Sequence, residues 1–123
     1  MSMSVTFDSS AWIEYFTGSE KGRVAKEIID ELETIFTPSI CLMEIKNKYL
    51  REKRKFKSRI DFICIKSQVV DINKETALEA AEIKNRHNLY SVDALIYAVS
   101  QRKKSTLLTG DYHFKGLKNV KIL

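Results

Sequence analysis

Apolar and polar positions follow two rhythms along this chain, short runs of period two and longer stretches of period three to four. The segments "SVTF" (4–7), "TIFT" (34–37), "QVVDI" (68–72), "TLLT" (106–109) and "VKIL" (120–123) are short and rich in Val, Ile, Leu and Thr, and they read as strands. Between them lie helical patterns. One runs from about Ser10 through "AWIEYF"; a second covers roughly 20–33, where Ala25, Ile28, Ile29 and Leu32 recur at i, i+3, i+4 and i+7. Pro38 stops the second strand and pre-sets the first turn of a helix through "CLMEIKNKYL", with Ser39 as its expected cap. A further helix falls near 56–66, and Asn73 caps an Ala-rich one over 74–87. "SVDALIYAVSQRKK" (91–104) begins at Ser91 and is expected to bury Val92, Leu95, Ile96 and Val99. Strands separated by helices need crossover connections. The expected fold is therefore α/β, three layers with a mostly parallel central sheet of four to five short strands.

Composition narrows the class. A chain of 123 residues suits one domain with a single core, and 44% hydrophobic with 30% charged residues excludes disorder. One proline and four glycines leave no room for a linker. No apolar run approaches the roughly 18 residues that span a bilayer, and "MSMSVTFDSS" lacks a basic start and hydrophobic centre, so a cytoplasmic protein is expected. Cys41 and Cys64 both sit in helical apolar segments and read as buried free thiols.

Four acids change the picture. In a parallel sheet, ligands bind outside the carboxyl ends of the strands. Asp8 immediately follows the first strand, and Asp111 follows "TLLT", with Gly110 expected to allow a tight exit. Glu44 lies near the start of the helix after the second strand, and Asp93 in the first turn of the helix from Ser91. Each alone has an ordinary explanation: a capping aspartate, a solvated glutamate, an acid at the positive end of a helix dipole, a turn residue. Their shared location at one edge is what sets them apart.

"VTFDSSAWIEYF", Glu44 in "PSICLMEI", "YSVDALIYAVS" and "LLTGDYHF" together resemble the four motif blocks of PIN-domain ribonucleases, above all the VapC-type toxins of toxin–antitoxin pairs. The resemblance covers almost the whole chain, in order, and implies a single PIN-like nuclease domain over 1–123. It implies that Asp8, Glu44, Asp93 and Asp111 are the catalytic and metal-binding acids, Glu44 directly or through water, with Ser10 and Thr109 as supporting hydroxyls. Many members carry a further acid two residues past the position of Asp111, where this chain has His113; read by itself, that histidine is a packed or exposed side chain, with RNA contact as the other reading. The implied activity is metal-dependent hydrolysis of RNA phosphodiester bonds, and the implied partners are an RNA substrate, a cognate antitoxin and a second copy in a homodimer. Carboxylates crowded together repel, and a divalent cation removes that penalty; oxygen-only donors suit one or two Mg²⁺ or Mn²⁺ ions.

Charge distribution agrees. The stretch "KNKYLREKRKFKSR" (46–59) holds eight basic residues against Glu52, while the whole chain carries only +5. Lys46, Lys48, Arg51, Lys53, Arg54 and Lys55 are the expected RNA-binding positions, since a polyanion held beside carboxylates needs compensating charge. Tyr49 and Phe56 within the run either stack on bases or pack. "AWIEYF" and the 20–33 helix either line an antitoxin groove or belong to the core. Three other readings stand beside the toxin: a PIN nuclease of RNA maturation, a catalytically silent RNA- or protein-binding module, and a phospho-acceptor signalling domain. The last fits worst, because Asp8 is followed by two serines and the late strand ends in "TGD" without the expected lysine.

Overall fold

The computed structural model describes residues 4–31 and 33–123. Strands β1 (Ser4–Phe7), β2 (Thr34–Pro38), β3 (Gln68–Val70), β4 (Thr106–Thr109) and β5 (Val120–Ile122) form one sheet in the order β3-β2-β1-β4-β5. Every pairing is parallel, with Val5 beside Ile35 on one side and Phe7 beside Leu108 on the other. The connecting helices are α1 (Ser9–Thr17), α2 (Gly22–Asp30), α3 (Ser39–Arg51), α4 (Lys57–Lys66), α5 (Lys74–His87) and α6 (Ser91–Arg102), and a 3₁₀ turn covers Tyr112–Phe114.

Successive strand residues face opposite sides, so the sheet carries two apolar layers. Leu108 joins Val5, Phe7, Trp12, Ile29, Ile45 and Ile63 on the side of α1, α2 and α4. Leu107 joins Ala80, Ile83, Ile96, Tyr97 and Phe114 on the side of α5 and α6. The three-layer α/β/α architecture expected from the pattern is the one observed, and among the described residues no helix is long and apolar enough to cross a membrane.

Local details differ from the pattern in instructive ways. Helix α2 is shorter than 20–33; Ala25 and Ile29 are buried and Ile28 half-buried, while Leu32 lies outside the described residues. Pro38, not Ser39, occupies the cap position of α3, because its extended backbone still belongs to β2; Ser39 is already helical and makes no capping bond. Asn73 does cap α5, its Oδ1 accepting from the Thr76 N–H at 2.9 Å, an interaction worth about 1 kcal/mol. Strand β3 ends at Val70, short of 72, and α6 stops at Arg102 because Lys104 turns to φ 51°.

The buried surface of α6 is also broader than a four-residue stripe. Ala94, Ile96, Tyr97, Ala98, Val99 and Ser100 are buried, whereas Val92 and Leu95 are only partly so. This helix packs against α5, α3 and three strands, which encloses it on more than one side. Cys41 is buried, but Cys64 is exposed, since Ile63 is the one residue of the peripheral α4 that reaches the interior fully.

Candidate active site

The strand order reverses between β1 and β4, because β1 leads outward through β2 to β3 and β4 leads outward to β5. A crevice opens at such a switch point, outside the carboxyl ends of the two strands. Helices α1 and α3 begin there because each follows directly from a strand's carboxyl end. Helix α6 also begins there, since its far end must deliver the chain to the start of β4. All four sequence-expected acids sit at these starts and ends.

Asp8 closes β1 and caps α1. Its Oδ1 accepts from the Ala11 N–H at 2.9 Å and the Ser10 hydroxyl at 2.6 Å, and its Oδ2 from the Thr109 hydroxyl at 2.5 Å. Because Phe7 pairs with Leu108, the next residues, Asp8 and Thr109, stand side by side across the sheet. The Ser10 hydroxyl also accepts the Gly110 N–H at 2.8 Å, and the Thr109 hydroxyl accepts the Asp111 N–H at 2.9 Å. One polar network thus ties the first and last motif blocks together. Gly110 serves it as a donor; the chain bends there, but its backbone is not left-handed and an added Cβ would meet only ordinary contacts of 3.5 Å or more, so the bend does not require a glycine.

Burial pushes the Asp8 carboxyl up to about 6, against its three hydrogen-bond donors, and the nearby Asp111 charge adds to the rise. Asp93 is raised too, by burial first, then by Asp111 and Glu44, with His113 opposing. Each of these two acids therefore senses at least one other of the set. Glu44 is held by the Ser9 hydroxyl, which donates to Oε1 at 2.5 Å.

The donor atoms lying closest together are those of Asp93, Asp111 and His113, all within 4.8 Å of one another. His113 Nδ1 is 2.8 Å from Asp111 Oδ1 and 4.0 Å from Asp93 Oδ2. Asp8 and Glu44 stand outside this tight trio, with their hydrogen-bonded oxygens turned to Ser9, Ser10 and Thr109. His113 is exposed, as its sequence allowed, yet it belongs to the cluster, and Tyr90 meets its ring edge-on at 5.3 Å. Ser9 did not stand out as a site residue in the sequence, and His113 was marked only as the residue where many family members carry a further acid. Adjacency was the available signal, since Ser9 follows Asp8 and His113 lies two past Asp111. The donors fit a divalent cation chemically: neighbouring carboxylates, two of which, Asp8 and Asp93, are raised in pKa by burial first and then by adjacent acids.

The basic run covers the end of α3 and the turn into α4. Lys48 and Arg54 share Glu52, and Lys46 lies over the Phe56 ring at 5.0 Å. Arg51, Lys53 and Lys55 are exposed and make no ion pair among the described residues. Tyr49 is core and Phe56 is half-buried against it, so packing accounts for both aromatics. The aromatic segment of α1 is likewise occupied internally, with Trp12, Tyr15 and Phe16 clustered on Phe62.

A family model described as PIN domain matches residues 5–120. Among curated proteins, none matches this chain. Several solved structures are similar. A toxin–antitoxin complex from Klebsiella pneumoniae aligns with a TM-score of 0.78 at 21% identity, covering 95% of each chain. VapBC2 from Rickettsia felis, bound to a promoter DNA fragment, aligns at 0.77 with 18% identity over 98% of each chain. Mycobacterium tuberculosis VapC20, a sarcin-ricin loop cleaving toxin, aligns at 0.71 with 18% identity over 96% of this chain and 98% of its own.

Proposed function

The chain belongs to the PIN domain family, and from that premise we propose that it is a metal-dependent endoribonuclease, the toxin of a toxin–antitoxin pair. The observation that carries the reading is the grouping of acids at the β1/β4 switch point: Asp93, Asp111 and His113 offer ligand atoms within 4.8 Å of one another, and the Thr109 hydroxyl, which accepts the Asp111 N–H, donates to Asp8. Asp111 and Glu44 add to the rise of the Asp93 carboxyl. Four carboxylates from four separate elements have no structural need to share a crevice. The toxin assignment draws on the similar structures, one a toxin–antitoxin complex, one VapBC2 bound to promoter DNA and one a sarcin-ricin loop cleaving toxin.

Asp93 and Asp111, with Asp8 behind them, would hold one or two Mg²⁺ or Mn²⁺ ions. A bound ion supplies charge neutralisation for the phosphate and a water acidified toward hydroxide. Ser10 and Thr109 fix the Asp8 carboxylate through both its oxygens, so its orientation does not depend on solvent. Ser9 fixes Glu44 through Oε1, leaving Oε2 to orient the attacking water and take its proton. The exposed lysines and arginines between α3 and α4 would hold the RNA backbone near this acidic crevice. In the homodimer and with the antitoxin, the same crevice is the surface an inhibitor has to cover, and a guanidinium paired with these carboxylates is chemically suited to do so.

Expression of the chain with and without Asp8→Asn tests the reading. The wild type is expected to arrest growth and create new RNA ends bearing 5′-phosphate, and the variant to do neither while reaching the same folded yield. New ends of equal abundance in the variant would remove the mechanism. A PIN nuclease of RNA maturation would cleave equally well but would lack an adjoining antitoxin reading frame.

A further inference from the structure

Resting on the metal-site reading above, we infer that His113 enters the cation site as a nitrogen ligand beside Asp93 and Asp111, so that this site favours Mn²⁺ and later transition ions over Mg²⁺. An ion with octahedral bonds of about 2.1 Å places adjacent ligand atoms roughly 3 Å apart and opposite ones roughly 4 Å apart. The separations from His113 Nδ1, 2.8 Å to Asp111 Oδ1 and 4.0 Å to Asp93 Oδ2, are close to those of an adjacent and an opposite pair, and the three residues offer ligand atoms within 4.8 Å of one another.

The ring is also held for the task. Phe114, fully buried, anchors the 3₁₀ turn, and the His113 N–H donates to Asp111 Oδ1 at 2.9 Å. Tyr90 closes one side of the imidazole with an edge contact at 5.3 Å. The Asp93 side chain is 16% exposed and that of His113 is 59% exposed, so the trio opens to solvent on the histidine side, where water or a phosphate oxygen completes the shell. Imidazole bonds more strongly along the series from Mg²⁺ and Mn²⁺ to Ni²⁺, whereas a carboxylate in its place favours the hard Mg²⁺ ion. His113 is thus a determinant of metal choice, distinct from the acids that provide the charge.

Calorimetric titration of the full chain with Mg²⁺, Mn²⁺ and Ni²⁺ at one pH, compared with His113→Ala and His113→Asp, tests this directly. The Ni²⁺-to-Mg²⁺ affinity ratio is expected to fall by roughly tenfold or more in both variants, since the imidazole nitrogen strengthens Ni²⁺ binding far more than Mg²⁺ binding. Pulsed EPR of the Mn²⁺-loaded wild type is expected to show ¹⁴N coupling that both variants lose. His113 is exposed, so both variants should retain the wild-type melting profile. Metal binding with an unchanged ratio and no ¹⁴N coupling would overturn the histidine assignment alone. Absence of any metal binding by the wild type would overturn it together with the nuclease reading.

Discussion

Asp8 ionises in the folded chain near 6 instead of 3.8, and the cause is burial. Below pH 3.8 its carboxyl is protonated whether the chain is folded or not. As pH rises past that value the unfolded chain releases the proton while the folded chain retains it until about 6. Stability of the metal-free protein therefore falls through this window, on the order of 3 kcal/mol by the upper end. Thermal melts in chelator should show the decline, and Asp8→Asn should reduce it, because Asn keeps an acceptor for Ala11 and Ser10 without carrying charge. An identical pH profile in the variant would mean the strain lies elsewhere. Ser9→Ala is the companion test. With Glu44 freed from its 2.5 Å donor, cleavage is expected to drop 10- to 100-fold with little change in melting temperature. These residues were unequally legible from sequence. Asp8, Asp93 and Asp111 could be found because strand ends and first helical turns are visible in the hydrophobic rhythm. Ser9 and His113 had only their adjacency to Asp8 and Asp111 as a signal, since their roles depend on which way a hydroxyl and a ring turn once neighbouring elements meet.

At the scale of elements, close approach of α1 and α2 depends on one glycine. A Cβ added at Gly22 would lie 2.2 Å from the Glu14 carbonyl oxygen, a backbone atom that cannot swing aside. Gly22→Ala is therefore expected to destabilise by about 1–3 kcal/mol, measured by chemical denaturation, by forcing the helices apart. Nothing in the local pattern announced this, because the constraint comes from a turn eight residues upstream. In α3, Ile45 and Tyr49 are one turn apart and both buried. That spacing puts Tyr49 in the core although its neighbours in sequence are basic. The basic turn itself carries a separate expectation. Replacing Arg51, Lys53 and Lys55 with glutamine should weaken RNA binding and lower the slope of log K against log salt by roughly 2, given the single-strand counterion term. Retention of the full slope would show that RNA is held elsewhere.

At the scale of the whole molecule, topology brings the acids together. Asp8 and Asp111 are separated by most of the chain, and only the adjacency of β1 and β4 makes them neighbours. The alternation of strands and helices made a parallel sheet legible, and a parallel sheet directs attention to its carboxyl edge. Strand order was not legible, because the alternation fits several orders; the meeting of β1 with β4 follows from how two apolar layers are covered at once. The most direct test of the central claim is cleavage of bulk ribosomal and transfer RNA by the purified chain, with Mn²⁺ or with EDTA, for wild type and Asp93→Asn. Discrete new 5′-phosphate ends are expected from the wild type with Mn²⁺ alone. The same ends at the same yield in EDTA, or from Asp93→Asn, would contradict a metal-dependent carboxylate site at the β1/β4 crevice.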